Sequence, residues 1–226
     1  MSAAAFRRIG VFGGTFDPVH NGHLRTALEV GELLVLDELR LVPASVPPHR
    51  DASVATGAER LRMLQLAADA NPGFLVDDLE LVRGGASYTI ETLRAVRAEA
   101  GPQARLCLIV GLDAFAQIHT WKDWPQLTDH AHVVVVQRPG AALGLTGDAA
   151  DWAAQRLATD PLSALAAAPC GAVLRLELTQ LAISATQIRA LLAEHRSPRY
   201  LLPDAVLDYI RENRIYDCVD THPGDR

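Results

Sequence analysis

Residues 9–23, IGVFGGTFDPVHNGH, join an apolar run to a cluster of chain breakers, two glycines, an Asp-Pro and an Asn-Gly, before a leucine-rich stretch begins at Leu24. That succession predicts a buried strand, a tight loop and a helix start. It is the opening unit of a parallel α/β fold, and it fixes where the chain leaves the sheet.

Gly13 and Gly14 allow backbone N–H groups to come close to a ligand, because no Cβ stands in the way. The helix that follows adds unpaired N–H donors and the positive end of its dipole, so an anion, above all a phosphate, is the natural guest. Thr15 offers a hydroxyl. His20 and His23, three apart, fall on one face of the first helical turn and can donate to oxygens that gain charge in phosphoryl or nucleotidyl transfer. Each piece alone has a plainer reading. Glycines end strands, Asn-Gly makes turns, and an i, i+3 His pair can bind zinc, although no third ligand stands at a suitable spacing. A Walker A loop is absent, and so is the six-residue dinucleotide fingerprint.

Along the chain, 24–36 reads as a helix packed on a sheet and 38–42 as a second strand. Residues 43–57 form a proline-stiffened loop presenting His49 and Arg50, which suits a functional turn and a merely solvated one equally. Thr56 and Glu59 match a capping box for a helix over 58–70. Residues 74–82 alternate apolar and acidic side chains as a strand would, and Ser87 N-caps a helix with Ile90, Leu93 and Val96 inward. Residues 106–110 read as a buried parallel strand, placing Asp113 just past its carboxyl end, where open α/β sheets bind ligands and where it equally suits an N-cap. Trp121 and Trp124 flank Lys122, the chain's only lysine, and each indole is either core or a platform for a planar ring. Residues 133–136 and 173–178 read as further strands, with a variable helical excursion over 141–171. Ser184 and Gln187 form another capping box, and Arg189 in that first turn can reach phosphates at the helix N-terminus. Residues 203–216 read as a last helix and 217–226 as a frayed tail.

The expected fold is therefore α/β: a Rossmann-like, doubly wound parallel sheet with C-terminal helices over about 184–216, in one domain spanning 1–226. A net charge of -6 argues against a broad nucleic-acid or anionic-membrane surface. Three widely spaced cysteines, no signal-peptide pattern and no membrane-length apolar run lead us to expect a cytoplasmic protein. A single lysine, outside any recognisable motif, disfavours a covalent nucleotidyl-lysine.

GGTFDPVHNGH closely resembles the ATP-binding loop of the nucleotidyltransferase superfamily with the HxGH signature, here residues 20–23. Its second signature, ISSTxxR, stands at 183–189 as ISATQIR, with Ala185 in place of the second serine. The resemblance narrows to the bacterial nicotinate-nucleotide adenylyltransferases through PPHR at 47–50, SYTIETL at 87–93, GLDAF and the later TW at 120–121, QRPG at 137–140 and RYLLPDAVLDYI at 199–210. It implies adenylyl transfer from ATP, carried with Mg2+, to nicotinate mononucleotide, by a monomer or homodimer. It implies Gly13, Gly14, Thr15 and Phe16 at the nucleotide phosphates and His20, His23 and Arg189 as catalytic groups. Ser184 and Thr186 would close on the phosphates, with Asp113 beside the nucleotide sugars. For the pyridine nucleotide it implies Tyr88 and Thr89 at the carboxylate, Trp121 on the ring and His49 near the mononucleotide, with Arg50 and Arg138 as further candidates. Preference for the acid over the amide leaves no side-chain signature, so a dual-specific or nicotinamide-directed enzyme is the alternative. Another HxGH transferase, such as a pantetheine-phosphate adenylyltransferase, would not account for SYTIETL with PPHR. A nucleotide-binding module without catalysis fits poorly with intact His20, His23 and Arg189.

Overall fold

The computed structural model describes residues 6–46, 53–137, 144–179 and 181–217. Six strands form one wholly parallel sheet: β1 (Arg8–Gly14), β2 (Glu38–Pro43), β3 (Phe74–Val76), β4 (Arg105–Gly111), β5 (His132–Gln137) and β6 (Val173–Glu177). Their spatial order is β3-β2-β1-β4-β5-β6. The chain thus builds outward from β1 in one direction, then restarts at β4 and builds outward in the other. Between β1 and β4 the connections diverge, and a crevice opens at the carboxyl ends of the strands.

Strand side chains alternate between the two faces, and the sequence fills both. On β4, Leu106, Leu108 and Val110 point to one side and Cys107 and Ile109 to the other; on β5, Val133 and Val135 oppose Val134 and Val136. Helices α1 (Asn21–Leu34), α2 (Gly57–Ala68), α9 (Ala185–Ala193) and α10 (Asp204–Glu212) cover one face with Val30, Leu34, Met63, Leu64, Ile188, Val206 and Ile210. Helices α4 (Thr89–Ala100), α5 (Leu112–Phe115), α6 (Leu127–His130) and α7 (Gly147–Ala154) cover the other with Ile90, Leu93, Phe115, Leu127 and Trp152. The short α3 (Leu79–Arg83) and α8 (Pro161–Ala167) complete the set. Among the described residues no helix is long and apolar enough to cross a membrane.

The fold class and the two-sided cover are as expected, with five local corrections. The strand expected over 74–82 stops at Val76. There the Asp77 carboxylate accepts the Leu79 N–H at 3.1 Å and the Arg40 guanidinium at 3.1 Å, turning the chain into α3 and leaving Val82 77% exposed. Helix α1 starts three residues early, so His20 is its N-cap. Ser87 caps nothing: Tyr88 is the N-cap of α4, while the Ser87 hydroxyl oxygen accepts the Ser45 N–H at 2.8 Å, and Gly111 rather than Asp113 caps α5. The last helix ends at Glu212, and residues at positive φ, Arg214 (52°) and Tyr216 (63°), fold the chain back inward.

On β2, next to the edge strand β3, Arg40 is 3% exposed and meets Glu38, Asp77 and Glu99, holding the Glu99 carboxyl below its usual range. Arg40→Met strands these carboxylates and should cost about 3 kcal/mol at pH 7 in urea unfolding. A carboxyl depressed in the folded state contributes stability that is lost as pH falls below 4.5. The variant should show a flatter acid limb there.

Candidate active site

One cavity of about 1460 Å³ opens at the divergence of β1 and β4. It is lined by Gly13, Gly14, Thr15, Phe16, His20 and His23 from the first loop and by Ser184, Ala185, Thr186 and Arg189 from the start of α9. Asp113, Tyr88, Thr89 and Trp121 line it as well. Segments about 160 residues apart in sequence are thereby neighbours, because both loops leave the sheet at its carboxyl edge. His49, Arg50 and Arg138 lie outside the described residues.

The ends of the two divergent strands are bare. Among the described residues, a Cβ built at Gly13 or at Gly111 would meet no atom within 4 Å beyond its chain neighbours, and neither residue has a positive φ. Among the described residues nothing requires glycine at either place. What a side chain there would occupy is the cavity. At Gly22 the reason is internal, since a Cβ would stand 3.0 Å from His20 Nδ1.

The two histidine rings are stacked, with centroids 3.7 Å apart and planes at 21°. Phe16, itself 2% exposed, meets the His23 ring edge-on at 5.0 Å, so it packs the pair rather than facing the cavity broadly. The His20 N–H donates to His23 Nδ1 at 3.3 Å. Because Nδ1 accepts, the neutral His23 carries its proton on Nε2, which is then a donor. His20 is 6% exposed, its Nδ1 makes no hydrogen bond among the described residues, and burial pushes its pKa down to about 4. It is therefore neutral at physiological pH. Neither α1 nor α9 carries an acidic residue in its first turn, so the positive ends of both dipoles reach the cavity uncompensated. The Ser184 hydroxyl oxygen is spent on capping, accepting the Gln187 N–H at 3.1 Å.

Asp17 was read from sequence only as a loop breaker, yet its carboxylate ties the site together. Oδ2 accepts the Val54 N–H at 2.8 Å, and Oδ1 accepts the Ala55 N–H at 3.1 Å and the Tyr216 hydroxyl at 2.7 Å. Arg189 donates to the Asp17 carbonyl at 2.6 Å and stands 4.0 Å from its carboxylate. Arg60, 2% exposed on α2, supports the same loop by donating to the Thr15 carbonyl at 2.8 Å and the Ser45 carbonyl at 3.3 Å. Its signal in the sequence was a cation one turn before Met63 and Leu64 on the inward face of a helix. Asn21, the variable position of HxGH, donates to the Tyr200 carbonyl at 2.8 Å, and its N–H to the Leu201 carbonyl at 2.9 Å, which explains why RYLL belongs with the first loop.

At the other end of the cavity Trp121 is half-buried on the wall, whereas Trp124 packs edge-on against Trp152 at 5.3 Å. The structure thus separates the two indoles: Trp121 lines the cavity and is available to a planar ring, whereas Trp124, partly buried, packs against the core away from it. Glu80, 6% exposed, accepts the Thr92 hydroxyl hydrogen beside Tyr88 and Thr89. Tyr216→Phe removes one donor from the Asp17 carboxylate and should cost about 2 kcal/mol in denaturant unfolding. Burial and Asp17 push the Tyr216 pKa up, so the wild-type hydroxyl keeps its proton and the cost should not vary between pH 6 and 9.

A profile of cytidylyltransferase-like proteins matches residues 11–191. A Methylococcus capsulatus protein described as a probable nicotinate-nucleotide adenylyltransferase is 52% identical over 209 residues, covering 92% of this chain and 99% of its own. A Pseudomonas entomophila protein of the same description is 46% identical over 215 residues, covering 95% and 97%. The fold is shared with a Plasmodium falciparum nicotinic acid mononucleotide adenylyltransferase solved with NaAD, at a TM-score of 0.69, 16% identity and coverage of 94% of this chain and 98% of that one. With the HxGH loop and the second signature on one cavity, and with that degree of likeness along nearly its whole length, the chain belongs to the nicotinate-nucleotide adenylyltransferase family of cytidylyltransferase-like enzymes.

Proposed function

We propose that this enzyme transfers the adenylyl group of ATP to nicotinate mononucleotide, giving nicotinate adenine dinucleotide and pyrophosphate. The observation that carries this reading is the shared cavity. Two helix N-termini, two imidazoles and Arg189 meet at one end of it, and Tyr88, Thr89 and Trp121 at the other, in a volume of about 1460 Å³. That is above the usual size of a single-ligand pocket and suits two nucleotides side by side.

In this reading ATP lies over Gly13 and Gly111, with its phosphates toward His20, His23, Thr186 and Arg189 and its sugar near Asp113. The phosphate of the pyridine nucleotide, whose second pKa is roughly 6, is already ionised and attacks the α-phosphorus in line, so no general base is required. His23 Nε2–H and the α1 and α9 N-termini stabilise charge on the leaving pyrophosphate, and Arg189, already anchored at Asp17, is held for the same task. Trp121 stacks on the pyridine ring and Thr89 meets its substituent. Magnesium belongs here as the partner of ATP, carried on its phosphates; among the described residues no group of three or more His, Cys, Asp or Glu side chains gathers to hold an ion. When bound it supplies charge neutralisation at the phosphate oxygens.

The direct test is pyrophosphate release from ATP and magnesium with nicotinate mononucleotide, nicotinamide mononucleotide or phosphopantetheine as acceptor. Release with the first supports the proposal, and release only with phosphopantetheine contradicts it. His20→Ala and His23→Ala should each lower kcat about 100-fold with KM for ATP little changed, since each removes a group aimed at developing charge. Trp121→Ala should instead raise KM for the pyridine nucleotide about 10-fold with kcat nearly kept.

A further inference from the structure

The wall at the pyridine end of the cavity is charged in a way that the reaction itself does not require. Glu80 lines it, buried and hydrogen-bonded to Thr92. Next to it the Glu91 carboxylate accepts a 2.6 Å bond from the Lys122 ammonium and lies 3.9 Å from Arg83 Nε, while Arg94 stands 3.7 Å from Asp123. Of these cations, Arg83 and Arg94 do not line the cavity. Lys122 does, directly after Trp121, and Lys122 and Arg189 are the only Lys or Arg side chains that do so among the described residues. Its Nζ also sits 4.5 Å from the centroid of the Tyr88 ring, so the ammonium bridges the two motifs, SYTIETL and TW, that carry the pyridine side.

A nicotinate ring carries a carboxylate where nicotinamide carries a neutral amide. Glu80 repels the first and can accept a hydrogen bond from the second, so the buried part of this wall by itself favours the amide. Lys122 is the countercharge. Its side chain is 43% exposed and rests on a flexible four-carbon stem, which lets the ammonium swing from Glu91 to a substrate carboxylate while staying over the Tyr88 face.

We propose that Lys122 is a specificity-determining residue that pairs with the carboxylate of the pyridine nucleotide and sets the preference for acid over amide, Glu91 being its resting partner. This rests on the reading of the cavity as a pyridine-nucleotide site. The test is kcat/KM for nicotinate and nicotinamide mononucleotides, measured in parallel by pyrophosphate release. Lys122→Met should lower the acid-to-amide ratio about threefold to tenfold, chiefly through KM for the acid, and Lys122→Arg should restore most of it. Glu91→Gln, which frees the ammonium, should raise the ratio. Raising the salt to about 0.5 M should compress the wild-type ratio and leave that of Lys122→Met nearly unchanged. If both substrates weaken equally in Lys122→Met, Lys122 only braces Tyr88 and Trp121, and the proposal is overturned. A ratio that Glu91→Gln leaves unchanged or lowers also overturns it, even where Lys122→Met fails to fold. No release by the wild-type enzyme with either pyridine nucleotide would instead remove the proposed reaction.

Discussion

The Asp17 carboxylate is the tie on which the site depends. It takes N–H donors from residues 54 and 55, where the chain returns from the 47–52 stretch, and a hydroxyl from Tyr216 near the other end of the chain, while its own carbonyl holds Arg189. Each hydrogen bond to a charged acceptor is worth about 1.5–3 kcal/mol, and Asp17 is 5% exposed, so losing one donor leaves its carboxylate poorly compensated. The consequence is mutual: the phosphate loop, the exit of the 47–52 stretch and the second signature cannot shift independently. Arg60 reinforces this from beneath through the Thr15 and Ser45 carbonyls.

Around that tie the sheet supplies geometry and the helices supply field. Strand order β3-β2-β1-β4-β5-β6 puts the divergence of connections between β1 and β4, and the chain is stripped of side chains at the ends of those two strands. Helices α1 and α9 enter with unneutralised N-termini. For an acidic chain of net charge -6, the proposed reaction thus relies on local donors for the polyphosphate rather than on a basic surface. Burial keeps His20 neutral, so it adds no positive charge beside Arg189 on the cavity.

The strand and helix order was legible because the apolar runs are long and bounded by glycine or proline, as at 9–14 and 106–111. The phosphate loop and the second signature were legible as motifs, and the sheet topology explains why they meet. Position 77 was misread because alternation in VDDLELV imitates a strand, while the carboxylate that turns the chain acts through a side-chain bond that no periodicity records. Asp17, Arg60 and Tyr216 were missed for a related reason: their roles lie in contacts across 15 to 199 positions of sequence. Glu80 and Lys122 carry no motif, and only their placement on one wall reveals them.

The central claim is that the bare ends of β1 and β4 are room kept for a nucleotide. Thermal unfolding of Gly13→Val beside the wild-type protein, each with and without ATP and magnesium, tests it most directly. The account predicts that the ligand-free variant melts within about 2 °C of wild type, because the added Cβ meets no atom of the described residues within 4 Å, while a nucleotide-induced rise of about 5 °C in the wild type is abolished. A variant that keeps the full rise would contradict it.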